Sequence, residues 1–290
     1  MKRLSDIGTI RDILSRHGFT FSKALGQNFL VNPSVCPRMA EASGAGQGVG
    51  VLEIGPGIGV LTGELCQLAD KVVAIELDKR LLPVLDETLA EFDNVKIVNG
   101  DVLELDLNRL IGEEFEGLQV VVCANLPYYI TSPVLLRLLE SDLPIAAITV
   151  MVQKEVAQRL CAKPGTKTAG ALTVMADYYA EARRLFDVSK GSFYPAPQVD
   201  SAVIQLMMRP APAVAVDSSE RFFRLVKAAF SQKRKTLVNA VSSTLHLSKQ
   251  TVLDALQGSG LPEAVRAEAL TTAQFGELYH ALQARGALIA

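Results

Sequence analysis

The run Glu53-Ile54-Gly55-Pro56-Gly57-Ile58-Gly59 follows an apolar stretch and opens a helical pattern. Glycines at such a turn let the backbone bend sharply and approach a ligand with no Cβ in the way. Alone the turn says little, because dinucleotide-binding enzymes use similar ones; its G-P-G-I-G spacing nevertheless departs from the G-x-G-x-x-G that cradles a pyrophosphate. Glu76 closes the next apolar run, where a carboxylate can accept hydrogen bonds from both hydroxyls of a ribose. Asp101 closes the third, where it can accept from the exocyclic amine of an adenine. Each acid by itself is equally a solvated strand end; in this order they address one adenosine-containing ligand. Asp78 reads instead as the cap of the following helix. The fourth run ends in Asn125-Leu126-Pro127-Tyr128. There the Asn125 side-chain oxygen and the Leu126 carbonyl are two acceptors, stiffened by a proline and set beside an aromatic ring.

The elements that must position these residues are legible in the hydrophobic pattern. VGVLEIG, KVVAIEL, NVKIVNGD, LQVVVCANLP and PIAAITVMV are strand-like and alternate with helical stretches. Strands apolar throughout and separated by helices predict a parallel sheet covered on both faces, with its ligand outside the carboxyl ends of the strands. After Glu155 the rhythm changes: 168–178 reads as a helix, and 182–189 and 200–208 as strands, bringing the sheet to seven with a hairpin-like antiparallel pair at its end. Between those strands, GSFYPAPQ holds Phe193 next to Pro195 and Pro197. Phe193 could cover the open face of a flat ligand or simply plug the sheet edge, and Tyr194 is a second candidate for the same role. RPAPAVAVDSS reads as a linker with some freedom, and 220–290 as helical throughout. The predicted division is a catalytic domain over 1–211, with a helical arm over about 1–45, and a helical domain over 212–290.

Composition narrows the class. Apolar residues make up 49% and charged residues 21%, as in a globular protein with a sizeable core. No apolar run has the ~18–20 residues of a membrane span. The N-terminal segment MKRLSDIGTIRDILSRHG alternates like a helix and is not read as a signal peptide. Cys36, Cys66, Cys123 and Cys161 lack metal-ligand or disulfide spacing, which predicts reduced thiols, a cytoplasmic location and no metal. The net charge is −2, but 221–250 carries seven Lys or Arg and no Asp or Glu. That stretch is either a solvated helix face or a phosphate-binding surface.

The tetrad resembles the Asn/Asp-Pro-Pro-Tyr signature of amino-methyltransferases, in its Asn-Leu/Ile-Pro-Tyr variant. An adenine amine is a poor nucleophile because its lone pair is delocalised into the ring. Acceptors on both N–H groups localise that pair toward the incoming methyl, and Tyr128 would stack on the purine. A paired adenine cannot enter such a pocket, so the target must be flipped or lie in a loop.

Taken with KALGQNFL (23–30), GDVLELD (100–106), KPGTK (163–167), FYPAPQVDSAV (193–203) and FSQKRKTL (230–237), the chain resembles the ribosomal RNA adenine N6,N6-dimethyltransferase family almost end to end. The resemblance implies a class I, Rossmann-like methyltransferase sheet with a small C-terminal helical domain. It implies S-adenosylmethionine as donor and S-adenosylhomocysteine as product. The cofactor would be held by Gln27, Asn28 and Leu30 at its methionine end, with Gly55, Gly57, Glu76, Leu77, Asp101, Val102 and Asn125. Asn125, Leu126, Pro127, Tyr128 and Phe193 would form the catalytic set, and Arg224, Lys227, Lys233, Arg234 and Lys235 would meet RNA phosphates. Of the family's two branches, one modifying two adjacent adenines of a 16S rRNA hairpin in the assembling small subunit and one modifying a 23S adenine, NLPYYITSP, PAPQVDSAV and SQKRKTL resemble the first. Ala169 departs from the tyrosine often found there, which puts local target contacts in doubt. A monomer is expected. The competing readings are an assembly factor whose methyl transfer is secondary and a nicotinamide-dependent dehydrogenase.

Overall fold

A computed structural model of the chain describes residues 4–20 and 27–287. The KALG portion of KALGQNFL lies outside the described residues.

The chain opens with α1 (Ile7–Arg16), whose first turn is capped by Asp6: the carboxylate accepts the Thr9 N–H at 2.8 Å. The short strand β1 (Phe29–Leu30) and α2 (Val35–Ala42) precede the predicted alternation. It runs β2 (Val49–Ile54), α3 (Val60–Cys66), β3 (Lys71–Glu76), α4 (Leu82–Thr88), β4 (Val95–Asn99), α5 (Leu107–Glu114), β5 (Gln119–Asn125), α6 (Thr131–Glu140) and β6 (Ile145–Gln153). Then come α7 (Lys154–Leu160), α8 (Ala171–Tyr179), β7 (Ala180–Val188), β8 (Phe193–Tyr194) and β9 (Ser201–Met208). Four helices end the chain: α9 (Ser219–Phe230), α10 (Leu237–Leu245), α11 (Lys249–Gly258) and α12 (Thr272–Gln283).

Seven strands form one sheet in the order β4-β3-β2-β5-β6-β9-β7. Pairs from β4 to β6 are parallel and β9 runs antiparallel to β6. All six residues of β2 are buried, as a central strand covered on both faces requires. Strand order reverses between β2 and β5, which opens a crevice at their carboxyl ends.

A separate two-stranded ladder, unforeseen in the sequence, pairs β1 with β8: Leu30 lies opposite Phe193 and Phe29 opposite Tyr194. Two-residue strands carry no periodicity, so no pattern signals them. Helix α8 starts at Ala171 rather than near 168. The preceding segment spends its polar groups on a loop, with Thr166 Oγ1 donating to Lys163 O at 2.7 Å and Ala169 N–H to Thr166 O at 2.9 Å.

The chain divides into two compact units, 1–157 with 183–208, and 158–182 with 209–290. Aromatic packing explains why α8 belongs with the last helices. Tyr178 stacks on Phe222 at 5.2 Å and Tyr179 on Phe223 at 5.6 Å between ring centroids. The proline- and alanine-rich segment, predicted to have freedom, is instead held within the second unit. Ala213 N–H donates to Tyr178 O at 2.9 Å, Ala215 O meets His280 Nε2 at 3.0 Å, and Tyr279 donates its hydroxyl to Asp217. Val214 sits so close over Gly276 that a Cβ there would fall 2.3 Å from Cγ1. Its composition signals a linker, but its small side chains also suit close packing on a helix.

Candidate active site

At the carboxyl ends of β2 to β5 a cleft forms within the first unit. Gln27, Asn28, Leu30, Gly55, Gly57, Glu76, Leu77, Asp101, Val102 and Asn125 all line it, as do Leu126, Pro127, Tyr128 and Phe193. Every residue that the resemblance assigns to the cofactor or the catalytic set therefore lines one cavity; Tyr194, the second candidate for the Phe193 role, does not, and its hydroxyl accepts from Arg11 Nε at 3.3 Å.

The glycine turn is shaped for close approach. Gly57 has φ of 62° and an added Cβ would lie 3.1 Å from the Phe29 ring; Gly59 has φ of 87° and its Cβ would lie 3.0 Å from Leu89. Both the conformation and the space call for glycine. Glu53, which starts the turn, is 1% exposed, and its Oε2 has no hydrogen-bond partner among the described residues. Burial pushes this carboxyl up to about 8, against the opposing influence of the Thr62 hydroxyl. A buried carboxyl group at the wall of a cleft, with one oxygen unsatisfied among the described residues, suits a ligand that brings a polar partner.

At the end of β3, Glu76 is 6% exposed and its Oε1 accepts the Asp78 N–H at 2.7 Å. Burial raises its pKa to about 7, with the backbone N–H groups of Asp78 and Gly57 working the other way. Asp78 caps the short turn Lys79–Leu81 before α4, as predicted, by accepting the Arg80 N–H at 3.1 Å. The Arg80 guanidinium, above all, holds this carboxyl below its ordinary range. Asp78 also accepts from Gln27 Nε2 at 2.9 Å, so the Gln27 amide braces the segment beside Asn28. Past β4, Asp101 Oδ1 accepts the Leu103 N–H at 2.8 Å, and Val102 is buried next to it.

The tetrad forms the turn from β5 into α6. Leu126 N–H donates to Met151 O at 3.3 Å and its side chain is buried, which anchors the turn in the core. Pro127 O accepts both the Ile130 N–H and the Thr131 hydroxyl at 3.2 Å. The Tyr128 hydroxyl lies 2.5 Å from Ser201 Oγ on β9, and burial raises its pKa. Phe193 is 4% exposed and packs with Leu30 in the core while lining the cleft. Phe193 thus plugs the edge of the core, as one reading expected, and also borders the cleft.

Glu53, Phe29, Tyr129 and Ser201 were not singled out in the sequence. Glu53 had a usable signal, an acid inside an otherwise apolar buried run. Ser201 had none, because its partner is 73 residues away.

In the second unit, Arg224 and Lys227 are exposed one turn apart on α9, and Lys233, Arg234 and Lys235 are exposed between α9 and α10. Among the described residues none of the five forms an ion pair. Arg16 of the first unit, by contrast, pairs with Glu87 at 2.7 Å.

A parallel sheet reversing at its centre, with one antiparallel strand inserted beside its outermost, is the architecture of class I methyltransferases. Solved structures agree on the fold. A dimethyladenosine transferase from Plasmodium falciparum superposes with a TM-score of 0.74 at 26% identity, covering 89% of this chain and 98% of that one. The 23S rRNA methyltransferase ErmE gives 0.67 at 28%, covering 88% and 100%. Residues 18–284 match the family described as ribosomal RNA adenine dimethylase. The chain belongs to that family and is an rRNA adenine dimethyltransferase. It is 47% identical over 285 residues to ribosomal RNA small subunit methyltransferase A of Geobacillus thermodenitrificans (strain NG80-2), covering 97% of each. The protein of the same name from Bacillus mycoides (strain KBAB4) is 46% identical over 286 residues, covering 97% of this chain and 98% of that one.

Proposed function

We propose that the protein methylates N6 of two adjacent adenines in a 16S rRNA hairpin of the assembling small subunit, giving N6,N6-dimethyladenine. It acts as a cytoplasmic monomer, with S-adenosylmethionine as donor and S-adenosylhomocysteine as product. The observation that carries this reading is the Asn125–Tyr128 turn opening onto the same cleft as Glu76 and Asp101. Relatives named for the small subunit, at 46–47% identity over nearly the whole chain, support the choice of that subunit.

When bound, S-adenosylmethionine supplies an electrophilic methyl group on a sulfonium. Glu76 accepts the ribose hydroxyls, Asp101 the adenine amine, and the turn at Gly55 and Gly57 lets the backbone approach. Gln27, Asn28 and Leu30 hold the methionine end. Opposite, the Asn125 side-chain oxygen and the Leu126 carbonyl accept from the target amine and aim its lone pair at the methyl. Pro127 keeps both acceptors fixed, and Tyr128 and Phe193 flank the flipped base. The methylated amine is acidic enough to lose its proton to water. Arg224, Lys227, Lys233, Arg234 and Lys235 contact phosphates of the folded RNA.

The test is transfer of labelled methyl from S-adenosylmethionine to small subunits lacking the 16S dimethylation, beside modified small subunits and unmodified large ones. Label confined to the unmodified small subunits and recovered as N6,N6-dimethyladenine is expected; label in the large subunit would overturn the choice of target. Asn125→Ala should slow transfer by about 10²–10³, the scale for losing one preorganised polar partner, while small-subunit binding persists. If methylation survives that change unaltered, the role given to the turn is wrong.

A further inference from the structure

Two tyrosines stand side by side in the turn after β5, and the structure separates their surroundings. Tyr128 lines the cleft with its hydroxyl against Ser201 Oγ of β9. Tyr129 is 50% exposed, among the large apolar side chains left in solvent, and it lines the same cleft as Glu76, Leu77, Asp101 and Val102. The turn beneath it is fixed from both ends. Leu126 N–H is bonded to Met151 O, and Pro127 O accepts from Ile130 and Thr131. A ring projected from so restrained a backbone loses little further freedom on meeting a ligand. The negative charges of Asp101 and Glu76, after burial, raise the Tyr129 phenol, so its hydroxyl lies within their field. Leu77, 45% exposed, lines the cleft from the end of β3.

We propose that Tyr129 is a positioning residue on the cofactor side of the cleft, its ring covering the adenosine moiety held by Glu76 and Asp101. This rests on the assignment of the cleft to S-adenosylmethionine. An aromatic ring left half in water has apolar surface to remove from it, and a flat purine beside it offers the matching face. Tyr129 therefore acts on cofactor retention rather than on the amine or the RNA. The hydroxyl, which lies in the field of two acids, is dispensable for that role, while the ring is not.

Calorimetric titration of the intact protein with S-adenosylhomocysteine separates the possibilities, using wild type, Tyr129→Phe and Tyr129→Ala. Small-subunit binding and thermal melting are measured in parallel. Tyr129→Ala is expected to weaken S-adenosylhomocysteine binding about five- to tenfold, in line with one aromatic contact, with the Phe variant near wild type and subunit affinity unchanged. Equal affinity in wild type and the Ala variant would overturn the inference while leaving the cleft assignment standing. So would a loss of subunit binding with cofactor affinity intact, which would turn Tyr129 toward the RNA. A wild-type protein that does not bind S-adenosylhomocysteine would remove the cleft assignment and this inference together. Should the Ala variant melt early, the comparison of Phe with Leu at this position reads the same contact in a packed side chain.

Discussion

Glu76 sits in the free protein with a pKa near neutrality, because burial disfavours its charge more than the backbone N–H groups of Asp78, Gly57 and Leu77 favour it. On the proposed binding mode, ribose hydroxyls bring donors that stabilise the ionised form. Adenosine-ligand affinity should therefore rise with pH through about 7 and level off above it, by roughly tenfold from pH 6 to 8, as one ionisation requires. Titrations in buffers of different ionisation enthalpy would show a proton released on binding below that pH. Glu76→Gln should bind more weakly and lose the pH dependence; a persistent dependence would point to another group. The same upward shifts affect folding with a fixed sign. An unfolded chain sheds these protons in the ordinary carboxylate range, so the unliganded protein loses stability as pH rises toward about 7 for Glu76 and about 8 for Glu53.

At the level of elements, the site is a set of strand ends made coplanar by the parallel sheet, closed on one side by the β1–β8 ladder. That ladder ties the segment after Gln27 to Phe193, and Phe29 in turn packs over Gly57. Gly57→Ala would place a Cβ 3.1 Å from the Phe29 ring on a backbone of positive φ. It should cost about 1–2 kcal/mol of stability, the scale of an L-residue in the left-handed region, and weaken cofactor binding as well. Thermal melts with and without S-adenosylhomocysteine check both effects; an unchanged melt would mean that the loop shifts freely and is not braced by Phe29. Gly50 is restrained for a different reason: an added Cβ would lie 2.2 Å from the Phe115 ring, so this glycine is there for packing beneath α5 and its C-terminal end.

Across the whole molecule the charge is divided. The first unit carries sixteen Lys or Arg against twenty-three Asp or Glu; the second carries thirteen against eight. A net charge of −2 conceals an acidic sheet unit and a basic helical one. RNA affinity should therefore reside in the helical unit and fall steeply with salt. Replacing Lys233, Arg234 and Lys235 together by Gln should reduce the slope of log affinity against log salt by about two to three, at about 0.7–0.9 per lost phosphate contact. Methyl transfer at saturating substrate should be little affected. Filter binding across a salt series tests it, and an unaltered slope would move the phosphate contacts elsewhere.

The sheet and the polar residues at its strand ends were legible before folding, because each rests on local rules. Apolar runs alternating with helical stretches fix a parallel sheet, and the acids, glycines and Asn125 turn stand at positions that the runs themselves define. The basic stretch was legible for the same reason. The tertiary structure alone decided what depends on residues distant in the chain. It pairs Leu30 with Phe193 and Tyr128 with Ser201, and it buries Glu53 until its proton stays on. It also gathers α8 with the last helices through Tyr178 and Phe222, and packs a linker-like segment onto α12 through Val214 and Gly276. Contacts of this kind leave no period in a sequence, since what selects them is the packing of surfaces that folding brings together.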